Sequence, residues 1–276
     1  MIILHTIAEL RAWRAAQDKI AFVPTMGNLH VGHLALIELA GQHAAGVLVS
    51  IFVNPLQFGV NEDYAQYPRT LPQDSELLSG SAASAIFAPT VETLFPVPQS
   101  YHIEPPPLAD ELCGQFRPGH FRGVATVVMK LFNLTQPDIA VFGKKDFQQL
   151  TILRGMVQDF ALPVNIIAAE TCRAEDGLAL SSRNGYLTTE QRQAAAFLYA
   201  SLGKIKTQIL NGERNNYPQL EQAAHAQLNA AGWRVDYVSI RNQSLAIPTA
   251  ANKQLVILAA AYLGRTRLID NIEVLI

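Results

Sequence analysis

Two histidines three residues apart flank a glycine in the segment His30-Val31-Gly32-His33. Histidines at this spacing share one face of a helix, where their ring N–H groups can donate hydrogen bonds to phosphate oxygens as negative charge develops. The segment follows an apolar run at residues 20–23 and opens a helical pattern. Because a helix N-terminus attracts phosphate through its backbone N–H groups and its dipole, the pattern predicts nucleotide binding. A helix start that merely contains two histidines is the alternative.

The composition makes a chance occurrence of this motif rare. Other common nucleotide-binding and hydrolase motifs are absent from the sequence. With 7 His and 17 Gly in 276 residues, HxGH is expected roughly 0.01 times by chance. The sequence has no GxG and no GxxxxGK[ST], which excludes the dinucleotide fingerprint and the P-loop. GxSxG and HExxH are also absent, which disfavours a hydrolase elbow and a zinc peptidase.

A second cluster follows the apolar run at residues 139–142 and reads Gly143-Lys144-Lys145-Asp146-Phe147-Gln148-Gln149. Lysines between a strand and a helix start can act as point charges for phosphate, and Asp146 can cap the helix. An exposed loop with an ordinary cap is the alternative. A third cluster, Leu180-Ser181-Ser182-Arg183-Asn184, offers hydroxyls and a guanidinium that can stabilise a departing pyrophosphate. A polar linker with an arginine is the alternative there.

The elements that must position these residues alternate between short apolar runs and longer amphipathic ones. We predict strands at 20–23, 46–53, 85–88, 139–142 and 164–169, and helices at 30–45, 72–78, 121–134 and 147–160. Thr6 and Glu9 are predicted to form a capping box at an earlier helix. Strands separated by helices predict a parallel sheet, with ligands at the carboxyl ends of its strands.

The pattern changes after residue 170. A polar, turn-rich segment at 173–185 precedes two predicted helices at 188–210 and 217–231, and then three predicted antiparallel strands at 235–240, 255–262 and 268–274. Helices followed by strands predict a small α+β domain. We therefore expect domains at 1–175 and 176–276.

Charge and hydropathy limit the partners and the location. Net charge is −2, which gives no overall field for a long polyanion, so we expect no nucleic-acid partner. The longest apolar stretch, 255–263, is about half the length of a membrane helix, and the N-terminus lacks the features of a signal peptide. The cysteines, Cys113 and Cys172, have no metal-ligand spacing. We therefore expect no membrane association and a reduced, cytoplasmic location.

Several blocks in a fixed order carry a resemblance that runs along essentially the whole chain. They are PTMGNLHVGH (24–33), FVNPLQF (52–58), YPRT (67–70), RPGHFRGV (117–124), GKKDFQQL (143–150) and DGLALSSRNGYL (176–187). Together they resemble the pantothenate synthetases, the AMP-forming pantoate–β-alanine ligases. Their HxGH and SSR segments are related to loops of nucleotidyltransferases and class I aminoacyl-tRNA synthetases.

The resemblance implies a fold and a reaction. The fold is α/β, with an N-terminal Rossmann-like parallel sheet domain of the HxGH superfamily and a smaller C-terminal α+β lid domain. In the reaction, ATP and (R)-pantoate give pantoyl adenylate and pyrophosphate, and β-alanine then gives pantothenate and AMP. Mg²⁺ is required, and the chain is expected to form a homodimer.

The resemblance also implies roles for individual residues. His33 matches the family's active-site histidine, and His30, Lys145 and Arg183 are expected to assist catalysis. Gln57 and Gln149 match the glutamines that hold pantoate. Asn54, Arg117 and His120 are expected near the substrate. The ATP site is expected to comprise Met26, Gly27, Asn28, Leu29, His30, Val31, Gly32, His33, Gly143, Lys144, Lys145, Asp146, Cys172, Leu180, Ser181, Ser182 and Arg183.

Two single positions and one adjacent pair depart from the family pattern. Cys172 replaces a small aliphatic residue, and Lys144 replaces the usual Glu, which adds positive charge near the phosphates. Gln73 and Asp74 stand where an acidic pair could help to hold metal, so the Mg²⁺ ligands are left open, with ATP oxygens and water supplying most of them.

Two other functions compete with the ligase. An HxGH nucleotidyltransferase would need neither Gln57 and Gln149 nor a substantial second domain. A nucleotide-binding regulator without catalysis would not be expected to keep Lys145 and Arg183 beside the histidines.

Overall fold

The chain folds into two units, each with its own sheet. The first comprises Met1–Lys144 and Ile152–Glu170, and the second comprises Lys145–Thr151 and Thr171–Ile276. The structure is a computed structural model, and it describes residues 1–60, 62–214 and 216–276.

The strands of the first unit are β1 (Ile2–Leu4), β2 (Ile20–Thr25), β3 (Gly46–Ile51), β4 (Ala85–Phe87), β5 (Ile139–Gly143) and β6 (Asn165–Ala169). Over the described residues they form one six-stranded sheet in the order β1-β4-β3-β2-β5-β6, with every pair parallel. The central strands are apolar on both faces, as expected where helices cover a parallel sheet. The predicted parallel α/β fold is confirmed.

Helices of the first unit connect these strands. They are α1 (Ile7–Ala15), α2 (Val31–Gly41), α3 (Leu71–Leu78), α4 (Val91–Leu94), α5 (Cys113–Phe116), α6 (His120–Thr135) and α7 (Phe147–Asp159), with residues 147–151 of α7 grouping with the second unit. The predicted capping box of α1 is present, because Glu9 N–H donates to Thr6 Oγ1 at 3.2 Å and Thr6 N–H donates to Glu9 Oε2 at 2.9 Å.

The second unit packs three helices and an antiparallel sheet around one core. Its elements are α8 (Thr189–Ala195), α9 (Phe197–Leu210), α10 (Tyr217–Ala230), β7 (Arg234–Asn242), β8 (Gln254–Leu263) and β9 (Thr266–Leu275). β8 pairs with both other strands. Leu198, Leu202 and Ile257 are among the buried side chains of the core. The predicted α+β character of this part of the chain is confirmed.

The structure differs from the predicted elements in three places. The helix expected at 188–210 is interrupted at Ala196, where a tighter turn (ψ −20°) separates α8 from α9; alanine favours helix, so the sequence pattern carries no sign of this turn. The helix expected at 30–45 ends at Gly41. β1, which we did not expect, pairs with the distant strand β4. Of the helices in the described part of the chain, none has the length and apolar character needed to span a membrane.

Candidate active site

The carboxyl ends of the central strands meet at one edge of the parallel sheet. From β2 the chain continues through β3 to β4 on one side of the sheet, and later through β5 to β6 on the other side. The strand order therefore reverses at β2, and α/β sheets bind ligands at such a switch point. Thr25, the last residue of β2, is paired with Ile51, the last residue of β3. The loops that follow these two strands therefore start side by side.

The loop between β2 and α2 is held by one buried carboxylate from α3. Asp74 is 2% exposed, and its Oδ2 accepts from Asn28 N–H at 3.0 Å while its Oδ1 accepts from Leu29 N–H at 2.7 Å. The hydroxyl of Thr70 also donates to Oδ2, at 3.0 Å. Gly27 has a φ of +83°, and a Cβ there would lie 3.0 Å from Asp74 Oδ2. Glycine is therefore required where the loop passes over the carboxylate.

These contacts change the role of Asp74 that the sequence left open. Both of its oxygens accept hydrogen bonds from the loop, so the carboxylate fixes backbone geometry. Across residues 1–60, 62–214 and 216–276, no group of three His, Cys, Asp or Glu side chains is placed to hold a metal ion.

The two histidines of the motif cap α2 together. His30 is the N-cap residue, and its Nδ1 accepts from Gly32 N–H at 3.1 Å, while His30 N–H donates to Nδ1 of His33 at 3.3 Å. A ring nitrogen that accepts a hydrogen bond carries no proton, so the hydrogen of each neutral ring lies on Nε2. The ring centroids are 4.1 Å apart. The cap therefore selects, for both rings, the tautomer with an Nε2–H donor.

Gln57 lies in the 3₁₀ turn Pro55–Gln57 that follows β3, and its side chain contacts the neighbouring loop. Its Oε1 accepts from Asn54 Nδ2 at 3.0 Å, and its Nε2 contacts Met26 Sδ at 3.2 Å. Asn54 is buried, and its amide also donates to Gly123 O at 3.2 Å. The first unit thus brings Gln57 and Asn54 together with the start of the HxGH loop.

Gly123 allows α6 to pack directly against this turn. A Cβ at this position would lie 2.0 Å from Leu56 O and 2.7 Å from Gln57 N, which is closer than nonbonded atoms can approach. The absence of a side chain therefore sets the distance between the helix and the backbone of Gln57.

A chain of hydrogen bonds fixes the same turn from its other side. Glu62 accepts from Arg117 with both oxygens at 2.6 Å, Arg117 Nη1 lies 3.0 Å from His120 Nε2, and His120 Nδ1 lies 2.8 Å from Gln57 O. Since a carbonyl can only accept, His120 Nδ1 donates to it and the neutral ring accepts from Arg117 at Nε2. Burial raises the pKa of Glu62, but its hydrogen bonds and attraction to Arg117 outweigh burial and hold the pKa below its usual value.

At the end of β5, Gly143 is followed by a lysine that forms an ion pair within the first unit. Lys144 Nζ lies 2.5 Å from Glu170 Oε1. The positive charge that the sequence assigned to position 144 is therefore offset by a carboxylate.

In the second unit, Lys145 and Asp146 lie in the 3₁₀ turn Lys144–Asp146 that leads into α7. Lys145 Nζ is 3.9 Å from Asp146 Oδ2, and the backbone carbonyl of Lys145 accepts from Asn271 Nδ2 at 2.9 Å. Gln149 is half-buried in the first turn of α7.

The serine–arginine segment follows a small hairpin of the same unit. Leu180 N–H donates to Cys172 O at 2.9 Å, so the backbone of Cys172 is part of this hairpin. Ser181 caps the 3₁₀ turn Ser182–Tyr186 by accepting from Arg183 N–H at 3.3 Å. This cap fixes the backbone that carries Arg183.

Sequence reasoning did not find Asp74 as the holder of the loop, nor the contacts of Glu62 and Asn271. The block YPRT pointed to the neighbourhood of Asp74. No local pattern marks Glu62 or Asn271, because each contacts residues that are distant along the chain.

Known proteins resemble this chain along nearly its whole length. Residues 2–273 match the family described as pantoate-beta-alanine ligase. The chain is 55% identical over 276 residues to the pantothenate synthetase of Chromobacterium violaceum, and 55% identical over 276 residues to that of Neisseria meningitidis serogroup B, with 99% of both chains covered in each comparison.

Solved structures are similar over the same extent. The crystal structure of pantothenate synthetase from Thermus thermophilus has a TM-score of 0.93 and 42% identity, and the comparison covers 100% of both chains. Pantoate-beta-alanine ligase from Francisella tularensis, described as complexed with beta-gamma ATP and beta-alanine, has a TM-score of 0.79 and 35% identity, covering 99% of this chain and 97% of that one.

Replacing Asp74 by asparagine tests the hold on the loop. Asp74→Asn puts an amide NH₂ against the N–H donors of the loop, so we expect the free energy of unfolding to fall by about 1–3 kcal/mol and ATP binding to weaken. Thermal unfolding and calorimetric titration with ATP measure the two effects. Glu76→Gln, an exposed change on the same helix, is the control and should alter neither. Unchanged ATP affinity in Asp74→Asn would contradict the assignment.

Proposed function

The chain belongs to the pantoate–β-alanine ligase family, and from that premise we propose which of its residues carry out the reaction. The enzyme uses ATP to condense pantoate with β-alanine to pantothenate. The observation that carries the assignment of residues is the mutual cap of His30 and His33, beside the loop that holds Gln57. The whole-chain family match leaves no need for the nucleotidyltransferase or the regulator that the sequence left open.

The proposed reaction has two steps. The carboxylate of (R)-pantoate attacks the α-phosphorus of ATP, a P–O bond to pyrophosphate breaks, and pantoyl adenylate forms. The amine of β-alanine then attacks the acyl carbon, AMP leaves, and a proton is lost from nitrogen to give the amide. No protein nucleophile is needed, so the site must align the reactants and stabilise negative charge.

The histidines suit the first step as hydrogen-bond donors. The cap places both Nδ1 atoms against backbone N–H groups, so each neutral ring presents Nε2–H toward developing charge without having to give up a proton. We propose that His33 and His30 stabilise the transition state in this way. The N-terminus of α2 adds backbone donors of Gly32 and its neighbours.

The remaining nucleotide contacts are proposed from the sequence and its family. Lys145 and Arg183 are assigned to the triphosphate and the departing pyrophosphate, because both carry the positive charge that such groups require. Backbone and side-chain groups complete the ATP site. They are Met26, Gly27, Asn28, Leu29, Val31, Gly143, Lys144, Asp146, Cys172, Leu180, Ser181 and Ser182.

Gln57 and Gln149 are proposed to bind pantoate. An amide can both donate and accept, which matches a substrate with one carboxylate and two hydroxyls. The contacts of Gln57 with Asn54 and Met26 support this role, because they hold its side chain at the switch point of the sheet before substrate arrives.

Mg²⁺ is proposed to enter as the complex with ATP. The described residues provide no group of three ligating side chains, and Asp74 is engaged by backbone donors. Phosphate oxygens and water are therefore the proposed ligands, as Mg²⁺ commonly keeps several waters in nucleotide sites. The ion would neutralise phosphate charge when bound.

The assembly and location follow the family resemblance and the sequence. We propose a homodimer in the cytoplasm.

We also propose a functional boundary near residue 175, with 176–276 acting as a lid that carries Ser181 and Arg183 to the ATP phosphates. The polar segment 176–185, with glycines at 177 and 185, supports a hinge there.

Crystals grown with and without an ATP analogue test the lid. We expect the two structures to differ in the angle between the domains or in the order of residues 176–185, because phosphate would draw in the cationic segment. Identical structures with this segment remote from the bound analogue would contradict the proposal.

Kinetics of pantoate binding test Gln57. Gln57→Ala should raise the KM for pantoate by the equivalent of about 1–3 kcal/mol, the range for losing a hydrogen-bond partner, with ATP affinity unchanged. Gly123→Ala should have the same effect with the Gln57 side chain intact, since the new Cβ displaces the turn.

Gln66→Ala, an exposed glutamine beyond the turn, is the control and should leave both constants unchanged. Calorimetry with ATP provides the second measurement. A collapse of ATP affinity in Gln57→Ala, with the KM for pantoate retained, would refute the assignment.

Exchange of labelled pyrophosphate into ATP tests the order of the two steps. Exchange should occur with pantoate and Mg²⁺ and without β-alanine, because the adenylate forms first. His33→Ala should slow it by roughly 10²- to 10³-fold, the scale for losing one donor to developing charge. His43→Ala, an exposed histidine after α2, should not. A requirement for β-alanine would refute the adenylate route, and exchange without pantoate would indicate a different carboxylate substrate.

A further inference from the structure

A buried amide on β9 reaches the turn that carries Lys145. Asn271 is 5% exposed, and its Nδ2 donates to the carbonyl oxygen of Lys145 at 2.9 Å, across 126 positions of sequence. The direction of the Lys145 side chain depends on the orientation of its own peptide. A hydrogen bond to that carbonyl therefore constrains where the ammonium group can point.

Asn271 is itself held on both sides of its backbone. Its N–H donates to Asp270 Oδ1 at 2.7 Å, and its carbonyl oxygen accepts from Arg173 Nη2 at 3.1 Å. Arg173 and Asp270 form a two-pronged ion pair at 2.7 and 2.9 Å. The guanidinium also stacks on Tyr199, 3.6 Å from the ring centroid. This pairing fixes the peptide on either side of the Asn271 side chain, as expected for planar bidentate contacts.

Arg173 also contacts the hairpin that precedes the serine–arginine segment. Arg173 Nη1 donates to Gly177 O at 3.0 Å, within the hairpin that leads to Leu180. Beyond the hairpin, Asn184 Nδ2 donates to Ala179 O at 3.0 Å. The cluster of Arg173, Asp270 and Asn271 therefore contacts the Lys145 turn directly, and it contacts the hairpin that precedes Arg183 through Gly177.

We propose that Asn271 is a positioning residue for Lys145, and that the Arg173–Asp270 pair holds Asn271 in place. This inference rests on the proposed contact of Lys145 with the triphosphate. Asn271 does not touch substrate in this role; it acts through the backbone of the lysine. A residue that served only to stabilise the second unit would affect activity independently of Lys145.

A double-mutant cycle separates these two roles, because coupling is visible only between residues that act together. The variants are Asn271→Ala, Lys145→Ala and the pair, each measured by pyrophosphate–ATP exchange with pantoate and by thermal unfolding. Asn271→Ala should lower the kcat of exchange about 10-fold or more, the scale on which small misplacements act, with the KM for pantoate unchanged. In the Lys145→Ala background it should cause no further loss of kcat.

Two further variants protect the test against effects on folding. Leu268→Ala removes a core side chain from the same strand and should lower Tm without lowering the kcat of the folded enzyme. Asn271→Ser replaces Asn271→Ala if the alanine variant does not fold, since a hydroxyl shortens the reach to Lys145 while keeping a polar group.

The outcomes are distinguishable. Multiplicative losses in the double variant, or a loss of kcat in Leu268→Ala equal to that in Asn271→Ala at matched Tm, would overturn the positioning role and leave the role of Lys145 intact. Undiminished exchange in Lys145→Ala would overturn the proposed contact of Lys145 and this inference with it.

Discussion

The hydrogen bonds from the backbone of Asn28 and Leu29 to the buried carboxylate of Asp74 set the geometry on which the histidine motif of the first unit depends. A carboxylate removed from water must be satisfied by donors, and here the donors are two backbone N–H groups of the loop and the hydroxyl of Thr70. These hydrogen bonds fix the path of the loop between β2 and α2, and the positive φ of Gly27 on that path favours glycine. Because α2 follows this loop directly, the path of the loop also positions the start of α2 and its two histidines.

The cap of α2 determines the tautomer of both histidines. Helix N-termini need acceptors for their backbone N–H groups, and most helices use a hydroxyl or a carboxylate. Here two imidazoles accept through Nδ1, so capping requires both rings to be neutral with hydrogen on Nε2. The same tautomer suits the proposed donation of hydrogen bonds to phosphate oxygens.

The second unit also contains a buried carboxylate with several hydrogen bonds, but its partner is a charged arginine. Asp270 is 4% exposed and is paired with Arg173, whereas Asp74 receives neutral donors from the loop backbone and from Thr70. Removing one member of such a pair leaves a buried charge without compensation, which is strongly destabilising. Asp74 contacts its loop directly, whereas Asp270 acts through Arg173, which contacts Gly177, and through Asn271, which contacts Lys145.

The sequence by itself determined the alternation of β2 to β6 with α1, α2, α3, α6 and α7 in the first unit, the capping box at Thr6 and Glu9, the α+β character of the second unit, and the motif His30-Val31-Gly32-His33. These features depend on local periodicity, capping chemistry and residue type, which neighbouring positions reveal. Tertiary structure alone decided the partner of β1, the interruption at Ala196, and the contacts of Asp74 and Asn271. Asp74 lies more than forty positions from the loop it holds, and Asn271 lies 126 positions from Lys145. A hydrogen bond between such residues exists only after the chain has folded, and local pattern carries no record of it.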